Sequence, residues 1–122
     1  MSGMAWTGVL AVEGVWADSR QLVILPGALL WAPRAELPVR LAGETVGTVS
    51  RHSVRRAGGL ICATGVMQGD PLVLPQGLAA IIDTADTEDE GLKVTSGRLV
   101  GVRLTDKPEW PICRLVYRDA LE

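Results

Sequence analysis

Residues Arg98 to Tyr117 read RLVGVRLTDKPEWPICRLVY, a stretch that predicts two strands joined by a rigid corner. Val100, Val102 and Leu104 alternate on one face of the first strand, with Leu99, Gly101 and Arg103 on the other. The corner runs from Thr105 to Pro111. Its two prolines, Pro108 and Pro111, fix φ and remove two backbone donors, so no ladder can run through it. The second strand is expected over Ile112–Tyr117. A chain organised around such a unit is expected to be mostly β.

The composition agrees. The 122 residues suit a single domain over 1–122, a size that buries enough surface for a core without staples. Hydrophobic residues make up 48% of the chain, which suggests apolar surface covered by a partner. Phe is absent and Trp occurs four times, so Val, Leu, Ile and Trp fill the core and favour strands. A net charge of −2 gives no basic excess, so bulk nucleic-acid binding is not implied. Cys62 and Cys113 lack CxxC spacing and lie in apolar runs. They read as reduced, buried thiols of a cytoplasmic protein, not as a disulfide or zinc site. No apolar run is long enough to span a membrane, and Met1–Met4 lacks the pattern of a signal peptide.

Elsewhere, Trp6–Glu13 reads as a strand with two fairly apolar faces, followed by a loop over Gly14–Arg20 that carries Trp16. Gln21–Leu25 is a short strand. Pro26–Trp31 suits a single helical turn with proline at its start. Leu37–Leu41 is extended, and Pro38 marks a strand start or an edge. Val46–Arg55 and Leu60–Val66 form a hairpin about Arg56–Gly59, where paired glycines allow positive φ. A turn is expected at Asp70–Pro71. Gln76–Asp83 is expected to be a helix, with Leu78, Ile81 and Ile82 on one face. Asp83–Gly91 reads as an acidic loop, Leu92–Thr95 as a strand and Ser96–Gly97 as a turn. The expected fold is a small, barrel-like, mostly β domain with one or two short helices.

The motifs, in their order, resemble the prohead (capsid-maturation) proteases of tailed bacteriophages. The corner beginning Gly101-Val102-Arg103-Leu104 resembles the end of that fold. Val12-Glu13-Gly14 resembles its opening strand, Pro26-Gly27-Ala28 its Pro-Gly-Ala segment, Leu37–Leu41 the strand before the catalytic histidine, and Val46–Gly65 the following hairpin. The resemblance implies a serine nucleophile where this chain has Arg103, and a histidine within the interval Arg40–Thr45, which holds none. A guanidinium cannot serve as a nucleophile near neutral pH, and the reaction needs a base to take the serine proton. What the resemblance implies is therefore a degenerate, non-enzymatic relative. Its partner would be phage capsid protein or a second copy of itself, in the host cytoplasm during assembly and then in the virion. The alternative is an active serine-type maturation protease.

Other constellations point less far. His52 is the only histidine. It shares a strand face with Ser50, but Val54 stands where an orienting carboxylate would be needed. Arg51, His52, Arg55 and Arg56 form a basic cluster fit for phosphate, for an acidic partner surface or for the solvated tip of a hairpin. No aromatic residue interleaves with them to stack on bases. Asp83, Asp86, Glu88, Asp89 and Glu90 do not match the spacing of a calcium loop. Neither a metal nor a cofactor is implied. Trp16, Trp31 and Trp110 are candidate interface anchors or caps on the barrel ends. Arg103 is expected to pair with Glu44, which lies in the interval of the missing histidine.

Overall fold

In the computed structural model, residues 3–18, 22–69, 73–88 and 92–117 are described. They form ten strands and, among the described residues, no helix. In chain order these are β1 (Met4–Val12), β2 (Leu22–Ile24), β3 (Leu29–Leu30), β4 (Leu37–Leu41), β5 (Glu44–Val49), β6 (Arg55–Ala57), β7 (Leu60–Met67), β8 (Gly77–Glu88), β9 (Leu92–Thr105) and β10 (Leu115–Tyr117).

The organising strand is β9. One edge carries β8, antiparallel from Gly77↔Thr105 to Glu88↔Lys93. The other edge receives β2, β3 and β4 one after another, all parallel, against Leu92–Val94, Gly97–Arg98 and Val102–Arg103. From β4 the sheet continues through β5, β7 and β1 to β10. It curls into a half-barrel, drawn together at one end where Gly77 bridges Arg114. Trp6, Leu10, Ile24, Leu29, Val39, Val49, Ile61, Leu78, Leu99 and Val102 are fully buried on its concave side.

The mostly β class is as expected; the helices are not. The segment read as a helix over Gln76–Asp83 is the start of β8. Leu78, Ile81 and Ile82 have helical spacing, but eight residues cannot sustain an isolated helix, and the segment instead pairs along one edge with β9. Pro26–Trp31 contains no helical turn. Ala28 N donates to Leu25 O at 2.9 Å, and Gly27 has φ 79°. That is a type II turn, with Pro and Gly at its two preferred positions, and it returns the chain directly into β3.

Two loops of the sequence reading are strand. Asp83–Glu88 completes β8, and β9 runs without interruption through Ser96 and Gly97. Gly97 N reaches Ala28 O at 3.0 Å, so the residue read as a turn is tied into the ladder. The strand after the proline corner begins at Leu115, because Pro111 and Ile112 form a turn closed by Cys113 N to Trp110 O at 2.9 Å. The expected turn at Asp70–Pro71 lies outside the described residues.

The alternation in β9 also changes. Gly101 pairs with Ile81 but Leu99 pairs with Ile82, which leaves Val100 as a bulge. A bulge moves everything beyond it to the other face. Leu99 therefore joins Val102 and Leu104 in the core while Val100 is exposed.

The predicted hairpin is present with a break. β6 and β7 meet at Gly58–Gly59, both with positive φ, in a two-residue turn. β5 continues the pairing further along β7. Between them the ladder is interrupted at residues 50–54, where the Ser53 hydroxyl donates to Thr64 O (2.9 Å) and accepts from Thr64 N (3.3 Å). Ile61 is fully buried, whereas Val46 and Leu60 are half-buried.

Gly65 is required by packing. A Cβ there would run into the Thr48 carbonyl oxygen and lie 2.9 Å from Cε2 and Cζ2 of Trp6. Gly65→Ala is expected to cost about 1–3 kcal/mol, the usual penalty of overpacking. Gly58→Ala meets no atom within 4 Å and is expected to cost only about 1 kcal/mol of left-handed strain. Urea unfolding of the two variants checks the difference.

Candidate functional site

Three of the sequence motifs converge on one cluster. Glu13 follows β1, Gly27 lies in the turn before β3, and Arg56 lies on β6. The Glu13 side chain is 2% exposed. Arg56 grips it with a fork: Nε to Oε1 at 2.8 Å and Nη2 to Oε2 at 3.0 Å. Arg56 Nη2 also donates to Leu29 O at 2.7 Å, and Gly27 N donates to Glu13 Oε2 at 3.3 Å. The guanidinium carbon sits 5.0 Å from the centroid of the Trp31 ring, within cation–π range. The hydrogen bond to Glu13 holds the Arg56 pKa above its ordinary value. Binding and stacking at once is what a planar guanidinium does and an ammonium does not.

Alternation explains why only Arg56 of the basic cluster takes part. Arg56 pairs with the buried Ile61 and shares its inward side, whereas Arg55 and Ala57 point away. Arg51 and Arg55 are exposed and form no ion pair among the described residues. In the sequence Glu13 is marked only as the middle of Val12-Glu13-Gly14, a carboxylate at the end of an otherwise apolar strand, with no partner indicated.

The tryptophans divide. Trp110 is buried in the proline corner, and its Nε1 donates to Val15 O at 2.9 Å. It caps the barrel end and ties the Gly14–Asp18 loop to the corner, helped by Asp18 N to Glu109 O at 2.8 Å. Trp31 is half-buried beneath Arg56. Trp16 is exposed, along with Val15 on the same loop and Ile112 on the corner. The cysteines are free thiols. Cys113 is buried and Cys62 half-buried; burial pushes Cys113 up to about 12, which removes it as a nucleophile near neutral pH.

His52 is exposed in the ladder break with φ 62°, and its backbone N donates to Pro33 O at 2.7 Å. Its ring has no hydrogen bond to Ser50 among the described residues. The left-handed backbone takes both residues out of the continuous strand assumed in the sequence reading, so they are not brought together as a strand pair.

Arg103 is exposed on β9, and its neighbour in register on β4 is Arg40, also exposed. It does not pair with Glu44. Glu44 is registered with Leu41, whose side chain packs against the core, so it lies on the opposite face of the sheet from Arg103. Among the described residues there is no group of three potential metal ligands, and no helix is long and apolar enough to cross a membrane.

Arg56→Lys keeps the charge but loses the fork, the Leu29 contact and the stack on Trp31. It is expected to destabilise the fold by about 1–2 kcal/mol. Arg55→Lys should leave stability unchanged within error. Denaturant midpoints of the two variants check both outcomes. No family model, curated protein or solved structure matches this chain.

Proposed function

We propose that this chain is a non-enzymatic, capsid-associated protein of a tailed phage, on a fold resembling that of the prohead proteases. It would act as a minor or decoration protein, or as an assembly factor, in the host cytoplasm and then in the virion. The observation that carries the reading is Arg103. Where the resembled proteases place their serine, this chain has an exposed guanidinium with a second one, Arg40, beside it in register. Two adjacent cations on an open sheet face neither attack a carbonyl nor take up a proton.

A binding role is supported by the distribution of apolar side chains. Val15, Trp16 and Ile112 are exposed on two loops that hydrogen bonds fasten together. Tryptophan and large aliphatics on a rigid rim are suited to burial against a protein partner. Trp31 and Trp110 serve the fold itself, which leaves Trp16 as the tryptophan available to a partner.

Persistence in the particle tests this reading. The protein is expected in purified mature capsids at a fixed ratio to the capsid protein, measured by quantitative mass spectrometry, and the isolated protein should leave capsid and scaffold proteins intact. Loss from mature particles, together with cleavage that His52→Ala abolishes, would replace this reading with that of a maturation protease.

A further inference from the structure

Arg40 and Arg103 lie side by side on parallel strands. Their preceding neighbours Val39 and Val102 are fully buried, so both arginines stand on the outer, convex face. On that face Arg103 is flanked by Ala79 of β8, and Arg40 by Thr45 of β5. Neither offers a negative charge. Among the described residues, neither guanidinium has an ion pair or a hydrogen bond. Like charges in register destabilise a sheet, and neither in-register neighbour offsets them here.

The row two residues earlier along the strands is apolar. A Cβ on Gly101 would lie 3.4 Å from Cδ1 of Ile81 and 3.4 Å from Cγ of Pro38, so these two side chains close over the glycine from either side. The face thus presents a pair of cations and, one strand repeat away, a shallow apolar strip. That repeat is about 6.6 Å, the distance between side chains i and i+2 of any extended peptide.

We propose that this face is a docking site for an acidic, extended segment of a partner protein. One carboxylate of that segment lies between Arg40 and Arg103, and an apolar side chain two residues away rests on Ile81 and Pro38. Nucleic acid fits less well. None of the neighbours named on this face, Ala79, Thr45, Ile81 and Pro38, is an aromatic on which bases could stack, and the chain as a whole is net negative. The site is a property of the sheet face and does not require the capsid reading.

The test uses a fluorescent peptide of sequence Leu-Thr-Glu-Thr-Leu-Thr-Glu, a Glu→Gln control and a labelled single-stranded DNA, titrated with the full chain at low salt. The Glu peptide is expected to bind, and the Gln control to bind more weakly. Arg40→Ala and Arg103→Ala should each weaken binding about two- to fivefold, the strength of an exposed ion pair, and added salt should weaken it further. Arg103→Glu gives the sharpest outcome. It should abolish peptide binding while raising the thermal midpoint of the free protein, because it pairs with Arg40 where two cations stood. No binding of the Glu peptide, binding unaffected by Arg103→Glu, or a preference for the DNA would each overturn the proposal.

Discussion

Glu13 holds a carboxylate where the end of the half-barrel is closed to water, and such a group is tolerated only with a cation and donors in place. Arg56 supplies the cation, and the Gly27 amide supplies a further donor. The consequence is topological. β1, the turn between β2 and β3, and β6 are far apart in the chain, yet one carboxylate fixes their relative positions. The same guanidinium reaches the Leu29 carbonyl and covers Trp31, which fastens β3 to this end of the barrel. Ion pairs of this kind add less to stability than well-packed apolar groups would, but leaving one member alone is costly. The cluster therefore ties these three segments together at one point.

β9 plays the complementary part by length. A strand of 14 residues can receive three short strands in succession on one edge while β8 covers the other. The bulge at Val100 lets it do so on a curved sheet, because a bulge bends the strand and resets which side chains face inward. Gly101 then sits between Pro38 and Ile81, where a Cβ would touch both side chains at 3.4 Å and press on the Pro38 carbonyl oxygen at 3.2 Å.

Much of this was legible in the sequence. Period-two alternation, paired glycines and the proline corner gave the strands near both ends and the β6–β7 turn. Gln76–Asp83 carries a helical signal in Leu78, Ile81 and Ile82, but a short apolar run fits either state, and the partner strand decides for β8. Bulges were invisible for a related reason: one extra residue leaves no mark in composition, yet it reverses the facing of Leu99. At the cluster, Arg56 was singled out only as one basic residue among several. Its selection depends on which side of a three-residue strand it occupies, which follows from register. Glu13 stands out in the sequence only as part of Val12-Glu13-Gly14, and nothing there marks it as buried, because a single carboxylate at a strand end usually faces water. The expected pair between Arg103 and Glu44 failed on facing, not on distance along the chain.

A double-mutant cycle on Glu13→Ala and Arg56→Ala, read by urea unfolding, measures the interaction on which this account rests. Each single variant should be strongly destabilised, and the double variant hardly more than either, giving a coupling energy of about 2 kcal/mol. Additive losses, with a coupling indistinguishable from zero, would show that the two side chains meet without holding the strands together.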